Sequence, residues 1–461
     1  MLKQQKIFFD FLRFCIGSAK EIPDSLKEAD WKELYAIAKK QCLVGVLFDG
    51  IKKLPAGYVG MKKELLLQWM AESQMLVKAN VRLNDAAIQV SEWFRKKGFR
   101  TCILKGQGNA LMYPNPYSRT PGDIDIWVEG GDKLVISFVR SISPHEKACY
   151  HHIEFPSYKG VEVEVHYRPS FLLCFWHNRK LQKYYERVKE EQFSHRVMLG
   201  EQGEIAIPTV EFNLIFQLTH IFSHLMNEGI GLRQLVDYYY VLCDFYKVYQ
   251  NFSKTHPSSL KGGSTAFPKP LSMVFTPPSV PPFPGDRNLR GEGGNRPTRC
   301  SEPLRYKDGG PSKVSPDCAG WDRRGVSGDT SSASGSSASS TAVTSSASTA
   351  LDVVRKELKE LGLWRFAGGI MYIMQEVFGM PASRLIVPPN EKYGKFVLNE
   401  VLKAGNFGRH DARNRFGRSQ LGHNLQRVYR DIRLVRYFPA EALCEPLFRT
   451  WHFFWRLKYK K

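Results

Sequence analysis

The sequence predicts an α+β protein in which a small mixed-sheet core is flanked by N- and C-terminal helical regions. Apolar residues recur at three- and four-residue spacing up to about residue 95 and again from about residue 208, which is typical of amphipathic helices. Between these regions, short apolar and alternating segments bounded by glycine and proline predict strands. A chain of 461 residues, 43% of them hydrophobic, is long enough to bury a sizeable core.

Residues 1–95 are predicted to form the helical N-terminal region. The helical period is clear in DWKELYAIAKKQCLVGVLFDGIKKL and in LLLQWMAESQMLVKANVRLNDAAIQVSEWFRKKG, which ends at Gly98. Asp10 and Arg13 interrupt the apolar residues at the start of the chain, so this segment predicts an amphipathic helix rather than a signal peptide. No apolar run approaches the roughly 20 residues of a membrane-spanning helix.

Residues 96–200 are predicted to form an α/β core with a mixed sheet. A buried strand is predicted in FRTCILKG, a short helical segment in QGNALMY, a second strand in GDIDIWVEGG and a helix in DKLVISFVRSI. Two further strands, joined by a Tyr-Lys-Gly turn, are predicted in YHHIEFPSYKGVEVEVHYRP. Strands that alternate with helices and end in a hairpin indicate a mixed sheet.

The remaining chain is predicted to be helical, with one long interruption. Residues 201–250 form the first part of this region, and Thr209 is positioned as the N-cap of its first helix. Residues 251–349 hold 12 of the 26 prolines and the run SSASGSSASSTAVTSSAST, which predicts a disordered insertion. The helical period resumes in residues 350–461, the second and basic part of the region.

The charge distribution predicts an anionic partner. The formal net charge is +21, and residues 401–461 contain 14 basic but only 4 acidic residues. Nucleotide phosphates, nucleic acid or an anionic membrane surface would fit such a segment, and a solvated basic face is the alternative. The nine cysteines show no CxxC spacing, which favours reduced thiols and a cytoplasmic location.

Two carboxylates in the strand GDIDIWV indicate a cation site. Asp123 and Asp125 share one face of the strand, because successive side chains alternate, and their repulsion should raise the pKa of one of them. Glu164 in VEVEVHY supplies a third acid from a neighbouring strand, while the valines of that segment face the core. Three acids on adjacent strands could bind one or two Mg²⁺ ions. Half-exposed strands without a metal are the alternative.

Four further residues are predicted to bind the substrate. Lys105 lies in a strand-to-helix turn where Gly106 lets the backbone approach a phosphate closely. Arg119 lies in a turn four residues before Asp123, where it could meet phosphate charge. His166 shares the face of Glu164, although a structural histidine would fit the same pattern.

Two pairs at helical i, i+4 spacing leave alternatives open. His220 and His224 could bind zinc, but the sequence places no third ligand, which favours a packing or substrate-facing role. Arg233 and Asp237 predict an ion pair on one helix face, and the alternative is that Arg233 reaches into the cleft.

The motifs LKG, YSRTPGDIDIWV and GVEVEVHYRP resemble those of an uncharacterised bacterial nucleotidyltransferase family, which has LKG, R-x-x-x-D-I-D and E-x-H in this order. This family is part of the DNA polymerase β-like superfamily. The resemblance covers most of the chain except residues 251–349, and it implies that Asp123 and Asp125 are the metal-binding pair and Glu164 the third carboxylate. The Gly-Ser that usually follows the first strand of the superfamily is replaced here by Lys105-Gly106.

The resemblance implies a Mg²⁺-dependent transfer of a nucleoside monophosphate from a nucleoside triphosphate to an acceptor hydroxyl. The acceptor could be a protein, an RNA or a small molecule. The alternative is a non-catalytic regulator that binds nucleotide or RNA, with nucleic acid contacting the basic C-terminal region. Turnover of a labelled triphosphate would separate the two.

Overall fold

The core of the computed structural model is a four-stranded mixed sheet with the strand order β1-β2-β4-β3. Strand β1 (Thr101–Ile103) pairs antiparallel with β2 (Ile124–Val128), and β2 pairs parallel with β4 (Val161–His166). Strand β3 (His152–Tyr158) completes the sheet antiparallel to β4. The structure describes residues 3–255, 347–413 and 420–459, apart from 56, 59, 201 and 202. The predicted mixed sheet is confirmed.

The N-terminal region is helical, as predicted. Its helices are α1 (Lys3–Ile16), α2 (Trp31–Lys40), α3 (Val44–Ile51) and α4 (Lys63–Lys96). The buried residues of α1 are mainly phenylalanine, leucine and isoleucine, so burial of its apolar face against the other helices accounts for its stability. None of the described helices is long and apolar enough to cross a membrane.

The core contains more regular structure than the sequence predicted. The short helix α5 (Gln107–Ala110) and the helix α6 (Gly131–Ile142) follow β1 and β2 as expected. A long helix, α7 (Phe175–Ser194), and a two-stranded hairpin of β5 (Arg196–Met198) and β6 (Glu204–Ala206) were not predicted. Charged and amide side chains dominate α7, so its narrow buried stripe is hard to recognise.

The C-terminal helices that precede the predicted insertion and those that follow it pack into one hydrophobic core. They are α8 (Val210–Asn227), α9 (Leu232–Thr255), α10 (Ala347–Glu360), α11 (Trp364–Glu376), α12 (Glu391–Ala404), α13 (Gln420–Val435) and α14 (Pro439–Lys458). Thr209 caps α8, as predicted, by accepting a hydrogen bond from the Phe212 amide at 3.4 Å. Helices α9 and α10 extend slightly into the predicted disordered insertion, and residues 256–346 lie outside the described part of the chain.

Both faces of the sheet are covered, which determines where its polar side chains lie. Ile126 and Val165 belong to a core shared with α4 and α6. Trp127 faces the opposite way, with its ring centroid 4.7 Å from that of Phe193 in α7 and 6.0 Å from that of Phe212 in α8. Asp125 lies on this second face, where it is only 3% exposed.

Candidate functional site

Three carboxylates meet where β2 lies beside β4. The parallel register places Asp125 directly opposite Glu164, and Asp123 immediately precedes β2. One carboxylate oxygen from each of Asp123, Asp125 and Glu164 lies within 4.8 Å of the other two. The structure therefore brings together the three acids predicted from the sequence.

Lys105 supplies a positive charge to this cluster. It follows β1, and its Nζ lies 2.8 Å from Oδ1 of Asp125 and 3.3 Å from Nε2 of His220 in α8. Gly106 has a φ of +57°, a conformation that favours glycine, and the turn passes beside the main chain of Asp123. Both residues of the predicted phosphate-binding turn thus adjoin the carboxylates.

His166, which was predicted to bind the substrate, contacts the carboxylates of Asp125 and Glu164. Its side chain is buried, with Nε2 2.9 Å from Asp125 Oδ1 and Nδ1 3.3 Å from the carbonyl oxygen of Arg168. Because both neighbours only accept hydrogen bonds, each ring nitrogen carries a proton. Burial lowers the pKa of His166, but its hydrogen bonds to Asp125 and Glu164 raise it above the usual value. The imidazolium therefore holds Asp125 in place.

The three carboxyl groups differ in pKa. Burial, followed by the charges of Asp125 and Glu164, raises the pKa of Asp123 to about 6. Burial also acts to raise the pKa of Asp125, but Lys105 and His166 hold it well below the usual value. The pKa of Glu164 is lowered, because His152 and His166 outweigh the effect of burial. Of the two aspartates, Asp123 is therefore the one with the raised pKa that their repulsion predicted.

Arg119, which was predicted to bind phosphate, forms an ion pair in the protein interior. Its side chain is buried, and Nε and Nη2 each lie 2.8 Å from one carboxylate oxygen of Asp237 in α9. The hydroxyl of Tyr113 donates a hydrogen bond of 2.6 Å to the same carboxylate. Arg119 therefore links the segment before β2 to α9. Asp237 forms its ion pair with Arg119 and not, as predicted, with Arg233 on the same helix.

Two residues for which the sequence left alternative roles, Arg233 and His220, lie next to the site. Arg233 donates a hydrogen bond of 3.1 Å to the carbonyl oxygen of Thr120, in the segment that leads to Asp123. His220 contacts Lys105, whereas Nδ1 of His224 lies 3.2 Å from Glu228 Oε2. His220 is therefore a residue of the site, and the two histidines have separate partners.

Sequence reasoning missed a thiol and two histidines at the start of β3. Nδ1 of His152 lies 3.4 Å from Glu164 Oε2, and the ring of His151 lies 4.4 Å from that of His152, centroid to centroid. Cys149, His151 and His152 also place ligand atoms within 4.8 Å of one another. The segment CYHH, which leads into a strand paired with the strand of Glu164, was the available signal.

The donor set at the carboxylates fits Mg²⁺. Three carboxylates from adjacent backbone segments are ligands of the kind that Mg²⁺ prefers. The ammonium of Lys105 lies 2.8 Å from Asp125 Oδ1, which shows that the carboxylate cluster attracts positive charge. The electrostatic environment is therefore consistent with a divalent ion held by Asp123, Asp125 and Glu164.

The comparison with known families is consistent with this geometry. Residues 27–248 match the model of a family described as "Uncharacterised nucleotidyltransferase". The matched range includes the four-stranded sheet, the three carboxylates and the flanking helices α8 and most of α9. No curated protein and no solved structure gives a match.

Proposed function

We propose that the protein transfers a nucleoside monophosphate from a nucleoside triphosphate to an acceptor hydroxyl in a Mg²⁺-dependent reaction. The match of residues 27–248 to the family of uncharacterised nucleotidyltransferases supports the transferase class. The observation that carries this proposal is the convergence of the carboxylates of Asp123, Asp125 and Glu164 within 4.8 Å of one another. Mg²⁺ usually binds through one or two carboxylates together with substrate phosphates, so these acids and a triphosphate would complete its ligands.

In the proposed reaction the acceptor hydroxyl loses its proton to water and attacks the α-phosphorus, the bond from this phosphorus to the bridging oxygen breaks, and pyrophosphate leaves. Asp123, Asp125 and Glu164 would hold one or two Mg²⁺ ions, whose charge, when bound, polarises the attacking oxygen and neutralises the triphosphate. Lys105 leaves Asp125 to bind a phosphate oxygen, and Gly106 lets the phosphate approach the main chain. His166 keeps Asp125 ionised and oriented.

Glu164 is assigned to metal binding rather than to proton transfer. Its pKa is held below the usual value by His152 and His166, in spite of burial. A carboxylate with a low pKa is a weak proton acceptor at neutral pH, whereas an ionised oxygen is what a metal ligand requires.

A second candidate function is non-catalytic binding of nucleotide or RNA, and one observation favours it. On α13 and α14, the acidic residues Asp431, Glu441 and Glu445 are buried. The exposed charged side chains of the described part of these helices are basic: Arg427, Arg436, Arg456 and Lys458. A surface with this charge would attract a phosphate backbone without needing the carboxylates.

The two candidates differ in turnover. The purified protein should be incubated with Mg²⁺, a lysate and each α-labelled nucleoside triphosphate in turn, followed by detection of labelled protein, RNA and small molecules. A transferase gives a labelled acceptor and pyrophosphate, and Asp123→Asn should lower the rate by several orders of magnitude. Glu162→Gln is the matched control, because Glu162 is an exposed carboxylate on the same strand as Glu164.

The outcomes separate the candidates clearly. Binding of a triphosphate without transfer of label, unchanged in Asp123→Asn, would support the binding protein and reject the transferase. Salt dependence provides a further criterion, since binding through the basic surface of α13 and α14 should weaken steeply as salt concentration rises.

A further inference from the structure

A thiol and two imidazoles form a second group of metal-ligating side chains beside the carboxylates. They belong to the four residues 149–152, in which the Cys149 amide donates a hydrogen bond of 2.9 Å to the His152 carbonyl oxygen. The hydroxyl of Tyr167 contacts the carbonyl oxygen of Cys149 and lies 3.2 Å from that of His152. The backbone of this turn is therefore held from two sides, which orients the three side chains.

The imidazole of His151 lies between the other two side chains. Its Nδ1 is 3.7 Å from Sγ of Cys149, and its other nitrogen, Nε2, is 3.0 Å from Nδ1 of His152. One ligand atom from each of the three residues lies within 4.8 Å of the others. Sulfur and nitrogen ligands in tetrahedral positions on one zinc ion, with bonds of about 2.0–2.3 Å, lie roughly 3.3–3.6 Å apart.

The donor chemistry differs from that of the carboxylates. Thiolate and imidazole ligands favour zinc, whereas carboxylate oxygens favour Mg²⁺. We propose that Cys149, His151 and His152 bind a Zn²⁺ ion next to the cation site of Asp123, Asp125 and Glu164, with Nδ1 of His152 3.4 Å from Oε2 of Glu164. Three protein ligands leave the fourth position of a tetrahedral zinc ion open for water or a substrate atom.

A similar group elsewhere in the described chain has a structural role. Cys174, His177 and Glu441 also lie within ligand distance of one another. However, Oε2 of Glu441 accepts hydrogen bonds from the Leu173 and Cys174 amides, and Oε1 lies 3.0 Å from Nδ1 of His177. This carboxylate therefore links α14 to the start of α7. Because Cys174 belongs to a similar group with a structural role, it is the matched control for Cys149.

Cobalt binding tests the proposal without any measurement of enzymatic activity. Metal-free full-length protein titrated with Co²⁺ should show the near-ultraviolet absorption of a thiolate–cobalt bond, which should saturate at one absorbing ion per chain, and Zn²⁺ should abolish this absorption. Cys149→Ser should remove the absorption and lower zinc affinity by at least about tenfold. Cys174→Ser should keep both. His152→Ala provides a second ligand variant, and thermal melting in metal-free buffer checks that each variant is folded.

The results also distinguish this site from the carboxylates. Asp125→Asn should retain the cobalt absorption, so the zinc site stands whether or not the protein transfers nucleotides. Absence of the thiolate absorption in the wild-type protein would overturn the proposal. Its persistence in Cys149→Ser, or its loss in Cys174→Ser alone, would overturn it equally.

Discussion

Asp123 and Asp125 are two residues apart but have different electrostatic environments. Oδ1 of Asp125 lies 2.8 Å from the Lys105 ammonium and 2.9 Å from Nε2 of His166, while burial and two neighbouring carboxylates raise the pKa of Asp123 to about 6. The Asp125→Asn substitution removes the negative charge that faces the buried His166 and the partly buried Lys105, which should cost about 3–5 kcal/mol of unfolding free energy. The sequence alone suggested no such cost, because repulsion within the pair was the only interaction it revealed.

The Asp123→Asn substitution should have the opposite effect on the metal-free protein. It removes a charge that repels Asp125 and Glu164, so the unfolding free energy at pH 8 should stay unchanged or rise. Urea denaturation of both variants without divalent ions measures this difference. Equal destabilisation by the two substitutions would contradict the different environments that the structure assigns to the two carboxylates.

Arg119 illustrates a residue whose role depends on a contact far along the chain. Its guanidinium binds Asp237 through two hydrogen bonds of 2.8 Å in the protein interior. We expect Asp237→Asn to lower the unfolding free energy by about 3–5 kcal/mol, because it leaves a buried guanidinium without an opposite charge. Equilibrium denaturation measures this loss. Unchanged stability combined with weaker binding of triphosphate would instead restore the phosphate-binding role predicted from the sequence.

At the scale of secondary structure, local sequence patterns predicted individual strands and helices but not every contact between paired strands. The alternation in VEVEVHY predicted that the valines of β4 face the core, and Val163 and Val165 are buried. The parallel register that places Asp125 opposite Glu164 agrees with the predicted site. The contact of His152 with Glu164 depends on the antiparallel pairing of β3 with β4, so it required both strands to be considered together.

The interface between α13 and α14 contains a pair of carboxyl groups that should make stability depend on pH. Burial, followed by the charge of Glu445, raises the pKa of Asp431 to about 7. The folded protein thus keeps a proton that the unfolded chain releases near its ordinary value of 3.8. The unfolding free energy should therefore fall as the pH rises from about 4 to about 7 on account of this group.

The Asp431→Asn substitution tests this interface. The variant is neutral at this position at every pH, so it should gain stability relative to the wild type as the pH rises toward 7 and above. Urea denaturation at several values between pH 5 and pH 8 measures the difference, and Glu162→Gln, which changes an exposed carboxylate, serves as the control. A difference that is constant with pH would show that Asp431 does not titrate in this range.

At the scale of the whole molecule, helices far apart in the sequence share one core. Phe245 and Tyr249 of α9 belong to the same hydrophobic cluster as Val354 and Leu358 of α10, although residues 256–346 separate the two helices. The resumed helical period predicted this arrangement, because an amphipathic helix needs a partner for its apolar face. The identity of that partner was not predictable, since apolar stripes on several helices have similar composition.

Replacement of residues 256–346 tests whether the core depends on them. The side chains of the carboxylate cluster, Lys105 and the apolar contacts between α9 and α10 all lie outside this segment. A Gly/Ser linker of about 12 residues shortens the connection by roughly three doublings, which should stabilise the fold by about 2 kcal/mol or less, since each doubling of loop length costs about 0.6 kcal/mol.

We therefore expect the shortened protein to unfold cooperatively, with a melting temperature no lower than that of the full chain and the same stabilisation by Mg²⁺ and triphosphate. A full-length chain with the order of residues 256–346 scrambled is the control, because it keeps length and composition while removing any specific contacts. If the scrambled and shortened proteins both lose several kcal/mol of unfolding free energy, the segment contributes specific packing to the core. If only the shortened protein does, the linker is too short to join α9 to α10 without strain, and a series of longer linkers should then restore the lost stability.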